Sequence, residues 1–136
     1  MARKNLILAG DDHGHVYVYR FDPKGEVRYF HKNIKKLRDL KEHSREISSL
    51  AIPLTGPYVL SVSRDGKVVQ WDSEERFRRF LLATYLSSWD VKKKYRMYGD
   101  PSHVAFNPKD AKSFAINHHE KIQVLVCAPY HACFVL

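Results

Sequence analysis

Tyr58-Val59-Leu60-Ser61-Val62-Ser63-Arg64-Asp65-Gly66-Lys67-Val68-Val69-Gln70-Trp71-Asp72 decides the fold. Two runs rich in β-branched and aromatic residues flank Asp65-Gly66, a pair that readily supplies the positive-φ positions of a tight hairpin turn. Upstream, Ile47-Ser48-Ser49-Leu50-Ala51-Ile52 alternates as a half-buried strand does, and Pro53-Leu54-Thr55-Gly56-Pro57 ends it. An antiparallel meander over about 46–72 is therefore expected.

The same plan is legible on both sides. Asn5-Leu6-Ile7-Leu8-Ala9-Gly10 and His15-Val16-Tyr17-Val18-Tyr19-Arg20-Phe21 flank the turn Asp11-Asp12-His13-Gly14, and Glu26-Val27-Arg28-Tyr29-Phe30 follows as a short strand. Downstream, Val104-Ala105-Phe106, the turn Asn107-Pro108-Lys109-Asp110, 113–117 and 121–126 form a weaker version. Between these units, Ile34, Leu37 and Leu40 recur every third residue among charges, which predicts a short amphipathic helix over 32–42. Phe77, Phe80, Leu81 and Tyr85 fall on one helical face after Glu74-Glu75, which predicts a second helix over 74–86.

Within the middle unit, Glu42-His43, Ser61-Val62-Ser63, Asp65 and Trp71-Asp72 are set at the spacing that resembles a WD repeat, the blade of a β-propeller. The resemblance implies a buried relay from Trp71 to Ser63 to His43 to Asp65. Elementary chemistry supports such a chain, because a buried carboxylate needs donors and a hydroxyl both accepts and donates. Its role is structural. Aligning Gly14 with Gly66 sets Tyr19 under Trp71, and His13 takes the turn-Asp position; the third unit has Leu125 where the Trp belongs. Gly14 and Gly66 lie 52 residues apart, and Trp71 and Leu125 lie 54 apart. Both exceed the blade period of about 40–45 residues. The units are thus read as about 1–30, 42–73 and 101–127, with insertions at 31–41 and 74–100. The expected fold class is all-β: a partial WD-repeat propeller of about three four-stranded antiparallel blades, not closed, with a short helix in an insertion.

The chain is further similar to the coatomer beta-prime family of coat propellers. Ala2-Arg3-Lys4-Asn5, Pro57-Tyr58-Val59-Leu60-Ser61 and Val104-Ala105-Phe106-Asn107-Pro108-Lys109-Asp110 carry that likeness, in the family's order. It implies a non-enzymatic binding module with other coat subunits or cargo-tail peptides as partners, peripheral membrane association through the coat, and a cytoplasmic location at Golgi and vesicle membranes. In that family acidic residues near the channel mouth hold dilysine tails; Arg45 and Arg64 stand at the matching positions and are the candidate partner-facing residues. Open blade edges also leave room for self-association. Two other readings remain open: a WD scaffold with unrelated partners or an inert truncated fragment, and a basic nucleic-acid-binding protein.

Composition narrows the classes. The 136 residues are 44% hydrophobic and 28% charged, in the globular range. No apolar run approaches the roughly 18 residues of a membrane-spanning helix, and the apolar stretch after Met1 is shorter than a signal peptide's. Cys127 and Cys133 form no disulfide framework and suit a reducing setting. The net charge of +8 favours anionic partners, at least weakly. It is concentrated in Lys32-Asn33-Ile34-Lys35-Lys36-Leu37-Arg38, Arg76-Phe77-Arg78-Arg79 and Lys92-Lys93-Lys94-Tyr95-Arg96. No nucleic-acid reading motif accompanies it, so no specific nucleic acid is expected. His118-His119-Glu120 lacks the P-C-x-x-C of zinc deaminases, and Cys127, His131 and Cys133 lack structural-zinc spacing. His13 and His15 are read as turn and surface residues. No nucleophile elbow, phosphate loop or dinucleotide fingerprint is present, so neither an enzyme nor a cofactor or metal site is expected.

Overall fold

The structure, a computed structural model, describes residues 5–22, 24, 33–73, 75–77, 85–87, 89–97, 99–118 and 121–126. Every regular element among them is a strand: β1 (Leu6–Gly10), β2 (His15–Phe21), β3 (Ile34–Lys41), β4 (Ile47–Ala51), β5 (Tyr58–Ser63), β6 (Lys67–Asp72), β7 (Glu75–Phe77), β8 (Tyr85–Ser87), β9 (Asp90–Arg96), β10 (Pro101–Asn107), β11 (Asp110–His118) and β12 (Lys121–Val126). Three antiparallel sheets result, ordered β1-β2-β3, β4-β5-β6-β9 and β10-β11-β12, with β7 and β8 pairing separately. The expected meander over about 46–72 is the first three strands of the middle sheet, with Val59 opposite Trp71 and Ser61 opposite Val69.

Period two then sorts side chains between the two faces of the middle sheet. Val59, Val69 and Trp71 pack with Val16, Val18 and Leu40 of the first sheet and with Trp89. Leu60, Val62, Val68 and Tyr95 pack with Val104, Phe114, Ile116 and Leu125 of the third. The middle strands β5 and β6 are buried on both faces, which is why they read as near-continuous apolar runs. The sheets therefore stack face to face like consecutive propeller blades. Hydrogen bonds tie the stack at its inner strands. Ile47 N donates to the Asp11 carbonyl at 2.9 Å, Ser48 Oγ to the Pro101 carbonyl at 2.8 Å, and Val104 N to Ser49 Oγ at 3.2 Å.

Both expected helices are overturned. Residues 34–41 are β3, the outer strand of the first sheet. Their period of three has a definite cause. Val18 pairs with Arg38 but Tyr19 with Lys36, so Leu37 is the extra residue of a β-bulge. A bulge reverses the alternation, and Leu37 and Leu40 reach the same core despite their odd spacing. In the second stretch, Glu75–Phe77 and Tyr85–Ser87 are short antiparallel strands with Phe77 opposite Tyr85. Residues eight apart on one imagined helical face are partners across a hairpin; 78–84 lie outside the described residues.

The insertion boundaries change accordingly. Residues 34–41 and 90–96 are both outer strands of sheets, so 31–41 and 74–100 are not insertions as wholes. The interval from Trp71 to Leu125 contains the connection between β6 and β9, which carries the β7–β8 pair, whereas that from Gly14 to Gly66 contains the connection between β2 and β3. The expected strand over 26–30 lies outside the described residues.

One position shows how closely the sheets approach. Gly14, at φ 90°, would place a Cβ 2.6 Å from the His43 carbonyl oxygen and 2.8 Å from that of Arg45. Gly66, at φ 80°, has its nearest atom, the Met97 carbonyl oxygen, at 3.3 Å. Both alanine variants incur left-handed strain, of order 1 kcal/mol or more. Gly14→Ala adds a backbone clash across the sheet junction. Its denaturant midpoint should therefore fall clearly below that of Gly66→Ala; equal losses would contradict the packing described.

Candidate functional site

The middle unit closes its turn with side chains from three elements. Trp71, on β6, donates its indole Nε1–H to Ser61 Oγ on β5 at 2.9 Å. Ser61 Oγ lies 2.7 Å from His43 Nε2, in the connection from β3 to β4. His43 Nδ1 lies 3.1 Å from Asp65 Oδ2 in the β5–β6 turn. The Asp65 carboxylate can only accept, so a neutral His43 must direct an N–H at it and leave Nε2 to accept from the Ser61 hydroxyl, which itself accepts from Trp71. Nδ1 then carries the imidazole proton and donates to the carboxylate. The Asp65 oxygens also accept from Ser44 N at 3.0 Å and Lys67 N at 2.9 Å. The chain is satisfied at every atom.

This is the expected relay with one residue changed. Ser61 occupies the place assigned to Ser63. Both serines lie on the Trp71 face, so alternation cannot separate them. Register can: Trp71 pairs with Val59, which makes Ser61 its diagonal neighbour and puts Ser63 a further two residues along β5. Ser63 instead donates to the Arg45 carbonyl at 2.8 Å and accepts from Asp65 N at 3.2 Å. It shapes the turn that presents the carboxylate.

The electrostatics are those of a structural group. The His43 side chain is wholly buried and that of Asp65 is 3% exposed. Burial lowers the His43 pKa from its ordinary 6.5, outweighing the attraction of Asp65. Burial alone would raise Asp65, but the Ser44 and Lys67 amides and His43 outweigh it and hold the carboxyl below 3.8. A neutral imidazole therefore faces a carboxylate. With both ring nitrogens engaged and no solvent contact, His43 has no free position from which to move a substrate proton.

What the relay holds in place is exposed. It staples residues 43–46 to the β5–β6 turn, where Arg64 N donates to the Glu46 carbonyl at 3.1 Å. Arg64 Nε lies 3.0 Å from Glu46 Oε1, with side chains 52% and 45% exposed. Arg45, also exposed, directs Nη1 to the Arg64 carbonyl at 3.4 Å. The two candidate partner-facing arginines thus share one end of the middle sheet, with Glu46 between them; sequence reasoning missed Glu46.

The first unit closes differently. Asp11 Oδ1 accepts from His13 N at 3.0 Å and His15 N at 2.8 Å, and Asp11 Oδ2 accepts from Tyr17 Oη at 2.9 Å. Asp11 sits where Ser63 sits in the middle unit and His13 where Asp65 sits. Asp11, Asp12 and exposed His13 converge, but Asp11 is committed to the turn. His15 instead lies beside Tyr17 and Asp39. Cys127, His131, Cys133, His119 and Glu120 lie outside the described residues.

These features define a class by fold: a partial, open WD40-type β-propeller. Residues 34–72 match the family model "WD domain, G-beta repeat". That span runs from β3 through β6, so the sequence repeat straddles two sheets. Among solved structures, the chain is similar to the β-propeller domain of Cps50 (Swd1) from Myceliophteria thermophila, with a TM-score of 0.70 at 20% identity. The match covers 97% of this chain and 36% of that one, so the chain spans about a third of the structure it resembles. No curated protein matches the sequence.

Two outcomes check the relay. Ser61→Ala strands both the Trp71 N–H and the His43 Nε2 in a dry site, at about 1–3 kcal/mol for each. Ser63→Ala should cost about 1 kcal/mol, since its partners lie beside an exposed loop; a larger loss for Ser63→Ala in chemical denaturation would restore the original assignment. The second outcome is pH dependence. Folded His43 protonates at lower pH than the unfolded imidazole, so below about pH 6.5 the unfolded chain binds the extra proton. This contribution to stability is complete above 6.5 and declines as pH falls through it toward the folded value. Replacing His43 with Gln should flatten that slope in urea midpoints between neutral and mildly acidic pH. An unchanged slope would mean that His43 is not the group responsible.

Proposed function

We propose that the chain is a non-catalytic docking module that presents the loops of a stacked-sheet scaffold to protein partners. The observation that carries this reading is the satisfied, dry relay. It spends the residues that catalysis could use on fixing a turn, and it holds Arg45, Glu46 and Arg64 in solvent at one end of the sheet. Rigid strands carrying exposed loops are a common basis for recognition. Replacing both arginines with Asp should alter which proteins the chain retains while leaving its unfolding free energy in urea titration within about 0.5 kcal/mol of the parent. Retention unaffected by that change would remove this end of the sheet from the reading.

The narrower proposal is a coat module related to coatomer beta-prime, acting in transport between Golgi and endoplasmic reticulum and located at those membranes through the coat. Its support is the ordered set of motif matches, of which Phe106-Asn107-Pro108-Lys109-Asp110 is the most specific. Co-purification with coat subunits tests it. A generic scaffold would bring down other proteins, and salt-sensitive retention of arbitrary DNA alone would favour the basic nucleic-acid reading.

Cargo preference should differ from that of the coat family. Arg45 and Arg64 present cations where dilysine recognition uses carboxylates, and the single Glu46 is already paired with Arg64. At an effective dielectric near 20, two like charges about 4 Å apart repel by roughly 4 kcal/mol before screening. A lysine-tailed peptide titrated at low salt should therefore not bind. Saturable binding that is lost when the peptide lysines are acetylated would overturn this expectation.

A further inference from the structure

The third basic run of the sequence has a defined structural setting on the outer strand of the middle sheet, which reaches the β5–β6 turn at Arg96, opposite Lys67. Residues Lys92, Lys93, Lys94 and Arg96 lie on β9, the outermost strand of the four-stranded sheet. Pairing with β6 uses one edge of β9; among the described residues no strand occupies the other. Lys92, Lys94 and Arg96 are exposed, and Val91 and Tyr95 point into the packed interior. The strand is thus anchored by its apolar residues while its cations face solvent. Lys92 lies 3.9 Å from Asp72, Lys94 contacts Glu42, and Lys93 stands 4.8 Å from the centre of the Tyr95 ring. Arg96 has no carboxylate partner among the described residues, and Asp90 is the strand's single acid.

Edge lysines ordinarily protect a sheet from pairing with other chains. They do so by charge, because like charges directly opposite one another destabilise a strand pair, whereas opposite charges stabilise it. A second copy of β9 is repelled by this row. A strand rich in Asp or Glu is the partner to which the protection does not apply. From these features we infer that the free edge of β9 is a docking site for an extended acidic peptide segment. The segment adds as a fifth strand: its backbone pairs with the β9 edge, and its alternate carboxylates lie along Lys94 and Arg96, which share a face, with Lys92, the extra residue of a bulge, beside them. Seven residues of β9 span about 23 Å, enough to seat a peptide strand of similar length.

The test is a titration of the full chain with a fluorescent peptide of alternating Glu and Val, about seven residues long. Saturable binding that weakens with salt is expected. An otherwise identical peptide with its alternate amides N-methylated keeps the charge but cannot pair along an edge, and should bind about tenfold more weakly or not at all. Lys92→Gln with Arg96→Gln should lower affinity about tenfold. Lys35→Gln with Arg38→Gln, an equal charge change on β3, should have little effect. The proposal fails if no binding occurs, if the N-methylated peptide binds as well as its parent, or if the β3 pair weakens binding as much as the β9 pair. Tighter binding of a single-stranded oligonucleotide than of the peptide also overturns it, in favour of a phosphate-binding rim. The peptide comparison leaves the protein unaltered, so it stands even if a variant folds poorly. Arg64 lies at the same end of the sheet as Arg96, so the N-methylated peptide, which keeps the charge, separates edge pairing from simple attraction to that arginine.

Discussion

The buried carboxylate of Asp65 is the constraint on which the middle of the molecule depends. A charge at 3% exposure must be supplied with donors, and those donors come from three places in the chain: His43, Ser44 and Lys67. His43 and Ser44 belong to the segment that leaves the first sheet and enters the second. Satisfying the carboxylate therefore fixes the hairpin turn and the passage between sheets at once. The same passage crosses Gly14, whose missing side chain lets the first sheet's turn approach residues 43–45. A satisfied polar network in a dry setting specifies geometry more sharply than apolar contact does.

Stability is supplied by the faces on either side of that network. A two-stranded hairpin by itself is marginal, and here a four-stranded middle sheet is covered on both sides. Each wholly buried valine contributes on the order of 1.5 kcal/mol, more than a typical exposed ion pair such as Arg64 with Glu46. Packing thus holds the sheets together, while the relay and the inter-sheet hydrogen bonds of Ser48 and Ser49 set how they meet. The division also accounts for the third unit. Leu125, where the middle unit has Trp71, is 2% exposed, so the sheet stacks on apolar burial without an indole to end a relay.

Charge follows the same architecture. The interior strands β5 and β6 carry few ionised groups, whereas the outer strands β3 and β9 carry two of the three basic runs. Some of that charge is matched locally: Lys36 and Lys41 both lie 3.8 Å from Asp39, and Lys36 sits 4.3 Å from the centre of the Tyr17 ring. Among the described residues, these two basic runs are thus displayed on the outer strands of sheets.

The sequence by itself determined the strands that local chemistry dictates. Asp65-Gly66 between β-rich runs defined the hairpin, alternation defined β4, and the turn residues around Gly14 and Asn107 defined its neighbours. His43, Asp65 and Trp71 were legible through the resemblance of their spacing to a WD repeat, which implied a polar chain among them. Ser61 was not, because Ser61 and Ser63 share a face and only the pairing of Val59 with Trp71 distinguishes them. Residues 34–41 and 75–77 with 85–87 read as helices because a bulge and a hairpin both mimic helical spacing. Which one is present depends on a partner strand that no local window contains. For the same reason only the tertiary structure decided that β3 and β9 are outer strands of neighbouring sheets. Strand pairing joins residues far apart in sequence, and it is the pairing, not the composition of either strand, that sets which face is buried and which edge stays open.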